Sequence, residues 1–182
     1  MELDRAVFLD RDGVINRSLL IEGVPSPPKN HIEVEILSGV KEAISLLSKN
    51  GFQLVVVTNQ PDVARGTVTR QSVESINNYL NKDLGIKHWY VCFHDDIAEC
   101  PCRKPKPGLL FSAAKELNLD LTKSFMVGDR WRDISAGQAA GCKCYFVDHG
   151  YSEISPIPPY TRVSSLIEAA NLILETTNDN FN

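Results

Sequence analysis

Apolar residues along this chain follow two alternating rhythms. Short continuous runs suit strands buried on both faces: Ala6-Val7-Phe8-Leu9, Leu54-Val55-Val56-Val57, Tyr90-Val91-Cys92-Phe93, Phe125-Met126-Val127 and Cys144-Tyr145-Phe146-Val147. Between them apolar residues recur at helical spacing. Val40, Ala43, Ile44, Leu46 and Leu47 predict a helix from Val40 to Lys49, with Gly51 as its stop. Val73, Ile76 and Leu80 form one face of a helix that Thr69 can cap. Pro107 and Gly108 open another, carrying Leu110, Ala113, Ala114 and Leu117. A short helix from about Arg132 to Ala140 and a last one starting at Ser164 or Ser165 complete the series.

Strand and helix alternate, so the expected fold class is α/β: a Rossmann-like three-layer sandwich around a mainly parallel sheet. Residues 1–182 read as a single domain. The spaces between strand ends leave no room for an inserted cap domain. The proline-rich segment Glu22 to Lys29 reads as a loop, and Thr176 to Asn182 as a polar tail that frays. Ligands of such sheets bind beyond the carboxyl ends of the strands. The polar clusters sit there: Asp10 and Asp12 after the first strand, Thr58 and Asn59 after the second, Asp129 after the fourth.

Composition adds exclusions. Net charge is −4, which argues against nucleic acid or an anionic membrane as partner. No apolar run reaches the length of a membrane span, and Met1-Glu2-Leu3-Asp4-Arg5 lacks the basic start of a signal peptide. The expectation is a cytoplasmic monomer.

Asp10 and Asp12 stand two apart at a strand end. Two carboxylates so close repel each other, and a hard cation such as Mg²⁺ relieves this with oxygen ligands and exchangeable water. Two solvated aspartates in a turn is the alternative, disfavoured by the apolar strand before them. Thr58 and Asn59 offer a hydroxyl and an amide, or only a turn. Lys104, in Arg103-Lys104-Pro105-Lys106-Pro107-Gly108, offers a point charge ahead of a helix, or a solvated basic loop. Asp133, in Gly128-Asp129-Arg130-Trp131-Arg132-Asp133, either joins the acidic group or caps the helix.

Five cysteines, an odd number, argue against a disulfide framework. Cys92 and His94, followed by Cys100 and Cys102, place three thiols and an imidazole within eleven residues. That donor set suits a closed tetrahedral Zn²⁺ site with a structural role. Buried core cysteines would explain Cys92 but not Cys100-Pro101-Cys102 among Asp95, Asp96 and Glu99. Cys142 and Cys144 have no second pair nearby and read as core.

The motifs Phe8-Leu9-Asp10-Arg11-Asp12-Gly13, Val57-Thr58-Asn59, Lys104 and Gly128-Asp129 with Asp133, in that order, resemble the haloacid dehalogenase superfamily of phosphatases. The resemblance covers residues 6 to about 148. It implies that Asp10 is a nucleophile forming an aspartyl-phosphate and that Asp12 is the general acid and base. It further implies Mg²⁺ on Asp10, Asp129 and the main-chain carbonyl of Asp12, with Asp133 behind them, and Thr58 and Lys104 on the phosphoryl oxygens. The substrate is then a small phosphorylated metabolite. The zinc loop resembles the branch holding heptose-bisphosphate and histidinol-phosphate phosphatases. Thr58-Asn59-Gln60 with Ala64-Arg65-Gly66, and Asn16 after the first motif, resemble the heptose side. The five-residue spacer between His94 and Cys100 resembles the histidinol side. Asn16, Asn59, Gln60, Arg65, Arg103 and Arg130 are the expected substrate-binding residues, with Arg103 gripping the remote end.

Overall fold

The computed structural model describes residues 4–21 and 24–178. Its main sheet has six strands, all parallel: β1 (Ala6–Leu9), β4 (Gln53–Asn59), β5 (His88–Cys92), β6 (Phe125–Gly128), β7 (Lys143–Val147) and β8 (Thr161–Val163). They lie in the order β5-β4-β1-β6-β7-β8. The chain therefore builds outward from β1 on one side, then crosses over and builds outward on the other. The strand order reverses at β1, and loops leaving β1, β4 and β6 part there to open a crevice.

Residues alternate between the two faces of each strand, and both faces are apolar. Val7 and Leu9 of β1, with Leu54 and Val56 of β4, pack under α1 (Val40–Lys49), α2 (Arg70–Leu84) and α5 (Leu166–Asn178). Phe8, Val55, Val57 and Met126 pack on the other face, against α3 (Gly108–Leu117) and α4 (Trp131–Ala140). Helix α1 runs over the predicted residues, and the chain turns back at Gly51 with φ +80°. Thr69 caps α2 by accepting from the Ser72 N–H at 3.1 Å. Cys142 and Cys144 are buried in the second core.

Four expectations change. The segment from Glu22 to Lys29 is not all loop: β3 (Val24–Ser26) pairs antiparallel with β2 (Leu19–Ile21), and Glu22 and Gly23 lie outside the described residues. Pro25 is tolerated because a two-stranded ribbon has only edges. Strand β5 begins at His88 and ends at Cys92, so Phe93 belongs to the following loop. Strand β8 was not expected. Its three residues hold one buried side chain, Val163, too little periodicity to read. Thr176 to Asn178 continue helix α5, and the rest of the polar tail lies outside the described residues. No helix among the described residues is long and apolar enough to cross a membrane.

Candidate active site

The crevice is a cleft of about 190 Å³ at the carboxyl ends of β1, β4 and β6. Asp10 enters it directly from β1, held by its N–H donating to the Val127 carbonyl at 3.0 Å. Lys104 reaches it from the loop before α3 and is buried to 2 % exposure. Its ammonium donates to Asp10 Oδ1 at 2.8 Å and to the Val57 carbonyl at 2.7 Å, and pairs with Asp133 Oδ1 at 2.6 Å. Three donors thus meet three acceptors. Asn59 fixes that loop: its amide accepts from the Lys104 N–H and donates to the Lys104 carbonyl. Asp133 takes both roles considered for it. Its other oxygen accepts from the Arg130 N–H at 3.0 Å, capping α4.

Asp129 is buried to 1 % exposure, and among the described residues neither carboxylate oxygen accepts a hydrogen bond of good geometry, although burial and then the nearby Asp129 carboxylate push the Tyr151 phenol up to about 12. Burial pushes the Asp129 carboxyl well above the usual range, and the charges of Asp10 and Asp133 add to this. Asp10 is raised to about 7, first by burial and then by Asp133, with Lys104 opposing. Oxygens of Asp10, Asp129 and Asp133 lie within 4.8 Å of one another. Unpaired buried carboxylates are costly. An oxygen-lined group of this kind fits a hard divalent cation. Gly13 keeps the space open: with φ +88°, it has no room for a Cβ, which would lie 1.9 Å from Asp129 Oδ2.

The carboxylate of Asp12 does not join this group. The guanidinium of Arg11 holds both its oxygens, at 2.8 to 3.2 Å. Asn16 and Gln60 also donate to it, at 2.9 and 2.8 Å. Its repulsion from Asp10 is relieved by a fully buried arginine, so the two carboxylates do not share one cation through their side chains. Asn16 and Gln60 are buried beneath the cleft, where they support Asp12. Gln60 also donates to Thr58 Oγ at 2.9 Å.

The thiol cluster lies beside the cleft. Sulfur atoms of Cys92, Cys100 and Cys102 are 3.3 to 3.6 Å apart, and His94 Nδ1 is 3.4 Å from Cys102 and 3.6 Å from Cys92. No disulfide joins them. Four soft donors at these separations match the edges of a tetrahedral metal site. Arg103 links this loop to the cleft. It forks onto Asp96 and donates to the His94 carbonyl at 3.3 Å.

The central part of the chain, residues 28–141, matches the family model described as haloacid dehalogenase-like hydrolase. The chain belongs to that family. It is 37% identical over 149 residues to D-glycero-beta-D-manno-heptose-1,7-bisphosphate 7-phosphatase of Helicobacter pylori, covering 79% of this chain and 83% of the relative. It is 39% identical over 147 residues to the protein of that name in Escherichia coli K12, covering 74% of each. The fold matches the crystal structure of D,D-heptose 1.7-bisphosphate phosphatase from B. bronchiseptica complexed with magnesium and phosphate. That match has a TM-score of 0.82 and 26% identity, and covers 94% of this chain and 99% of the other. A putative had-like phosphatase from Mesorhizobium loti gives a TM-score of 0.75 at 31% identity, with 96% and 87% covered.

Within this hydrolase fold the expected basic residues divide. Arg65 pairs with Asp62 at 3.3 Å and with Asp96 at 3.6 Å, and Arg130 pairs with Glu153. Arg132, not singled out from the sequence, lines the cleft with no carboxylate at ion-pair distance among the described residues. Burial holds its guanidinium below the usual range, with Arg103 and Arg130 adding repulsion and Asp96 opposing. Arg11 is a second residue not singled out from the sequence. Its only sequence signal was its position between two acids. The pairing itself depends on where Asp12 turns.

Proposed function

We propose that this hydrolase is a phosphomonoesterase that removes the 7-phosphate of D-glycero-D-manno-heptose 1,7-bisphosphate through an aspartyl-phosphate at Asp10. The observation that carries the reading is the buried Asp129 beside Asp10, with no cation paired to it among the described residues, and Lys104 bound to Asp10 at 2.8 Å. Residues from three strand ends and one loop meet at one point.

Asp10 and Asp129, with the main-chain carbonyl of Asp12, would hold Mg²⁺. When bound, that ion supplies positive charge against the phosphate dianion. An oxygen of Asp10 bonds to phosphorus as the ester P–O bond breaks, and the leaving alkoxide takes a proton carried by Asp12. A water then bonds to phosphorus, Asp12 accepts its proton, and the Asp10–phosphorus bond breaks. Thr58 Oγ already accepts from Gln60, which leaves its own O–H to donate to a phosphoryl oxygen. Lys104, held by Asp133 and by its Asn59-bound backbone, adds its positive charge beside the phosphoryl group, and would hydrogen-bond it by releasing Asp10 as that oxygen bonds to phosphorus.

Arg103, Arg65, Arg130 and Arg132 favour an anion at the remote end of the substrate. Arg132 has its donors free of any ion pair among the described residues, and a second phosphate would meet them. Histidinol phosphate would bring an ammonium to that rim, which the arginines repel. Cys92, His94, Cys100 and Cys102 would hold structural Zn²⁺, fixing the His94 carbonyl on which Arg103 rests. The protein acts as a cytoplasmic monomer of one domain on a small phosphorylated metabolite. A sedimentation profile of dimer size would correct the oligomeric part.

The test is phosphate release from heptose bisphosphate and from histidinol phosphate by wild type, Arg103→Ala and Asp10→Asn. We expect the bisphosphate to be preferred, that preference to shrink in Arg103→Ala, and turnover to vanish in Asp10→Asn. Equal or better turnover of histidinol phosphate would refute the substrate. Retained turnover in Asp10→Asn would refute the intermediate.

A further inference from the structure

Arg11 is wholly buried, with 0 % exposure, and it is a charged side chain. Burying an arginine is costly unless its donors are matched. Here they are. Nε and Nη2 fork onto both oxygens of Asp12, and Nη1 donates to Asn77 Oδ1 at 2.9 Å. Asn77 lies on α2 and is itself buried. Asp12 thus has a guanidinium behind it and α2 behind the guanidinium. Its side chain is 15 % exposed and lines the cleft. Each of Nε and Nη2 reaches both oxygens, at 2.8 to 3.2 Å, so the carboxylate is held at two donor points where a lysine would offer a single point charge. Asn16 and Gln60 add one donor to each oxygen. This network touches Asp12 from below and leaves Asp10 to Lys104. We propose that Arg11, anchored by Asn77, is the positioning residue that aims the Asp12 carboxylate at the leaving-group oxygen.

This inference rests on the reading of Asp12 as general acid. In the first half-reaction the Asp10–phosphorus bond forms, the ester P–O bond breaks, and the Asp12 proton goes to the departing oxygen. An alkoxide needs that proton and a nitrophenolate does not. The ratio of kcat/KM on an alkyl phosphate to kcat/KM on p-nitrophenyl phosphate therefore reads how well Asp12 is aimed, since kcat/KM covers only the steps up to this bond change.

The experiment measures that ratio in wild type, Asp12→Asn, Arg11→Met, Arg11→Lys and the Asp12→Asn/Arg11→Met pair, using sugar phosphate and p-nitrophenyl phosphate. We expect Asp12→Asn to lower the alkyl rate by about 100-fold or more, with a much smaller loss on the aryl ester. Arg11→Met should lower the alkyl rate by about 10- to 100-fold with the same selectivity. It should add little in the Asp12→Asn background, because both changes remove one aimed group. Arg11→Lys keeps the charge without the second anchoring nitrogen and the Asn77 contact, and should recover only part of the loss. If Arg11→Met does not fold, Asn77→Ala carries the same prediction in weaker form.

Equal losses on both esters in the Arg11 and Asn77 variants would overturn the proposal, as would fully additive losses in the pair. An unselective Asp12→Asn would instead overturn the acid role of Asp12. No phosphate release by wild type would overturn the phosphatase reading as a whole.

Discussion

The molecule carries two centres ready for a metal, and they are built in opposite ways. The thiol centre takes Cys92 from the end of β5 and its other three donors from the loop that follows. The acidic centre takes Asp10 from the end of β1, Asp129 from the end of β6 and Asp133 from α4, with Lys104 as counter-charge from the loop before α3. The thiol centre closes a short loop, so little else need fold to form it. The acidic centre exists only once β1 and β6 lie side by side. Their exposure differs too. Cys92 is buried but Cys100 and Cys102 are half-buried, whereas Asp10, Asp129 and Asp133 are all buried. Burial holds the Cys92 and Cys102 thiols above their usual range, so those two stay neutral without a metal, while three buried acids beside one lysine do not balance. A local centre can act as a staple. A non-local one stores electrostatic tension that a cation and a phosphate relieve together.

Gly13→Ala should separate the centres most sharply. A Cβ there would overlap Asp129 and force an unfavourable φ. We expect phosphatase activity to fall by about 100-fold or more, with zinc content, read by metal analysis, unchanged. Loss of zinc as well would mean that the two centres are not independent.

Stripping the thiol centre with a chelator at constant excess Mg²⁺ should do the reverse. Structural zinc contributes folding energy. The melting temperature should therefore drop by several degrees, at about 2–4 °C per kcal/mol lost for a chain of this size. KM should rise more than kcat falls, because Arg103 rests on the His94 carbonyl. A kcat loss with KM unchanged would place the thiol loop at the reacting atoms instead of the remote end.

The smallest expected effect concerns pH. The carboxyl of Asp10 is raised to about 7 by burial, and Asp129 is raised as well. A raised acid binds its proton more tightly folded than unfolded. The folded protein without Mg²⁺ should thus lose stability as pH climbs from the unfolded value near 4 through about 7. Mg²⁺ competes with those protons, so the rise in melting temperature on adding millimolar Mg²⁺ should be larger near pH 8 than near pH 5. A shift that is the same at both would show that the acids stay ionised without the cation.

Most of the frame was legible in the sequence because it follows local rules. The run Leu54 to Val57 could only be a buried strand, and the spacing of Val40, Ala43, Ile44 and Leu47 fixed a helix. The thiol centre was legible for the same reason, since its spacing is its geometry. Pieces with few residues escaped. Strand β8 buries one side chain, and the β2–β3 ribbon hides behind its prolines. At the cleft, the sequence named the residue types but not who faces whom. Asn59 turned to the Lys104 backbone, and Asn16 and Gln60 turned to Asp12.

By itself, then, the sequence determined the alternation of strand and helix, the strand ends that bear acids, and the loop that gathers thiols, because each depends on neighbours a few residues apart. Only tertiary structure decided the partners of charge. Arg11 went to Asp12, Lys104 to Asp10 and Asp133, and Asp129 was left with no cation paired to it among the described residues. Those choices are set by which groups share a buried space, where an unmatched charge is too costly to leave to chance and short separations outweigh any order along the chain.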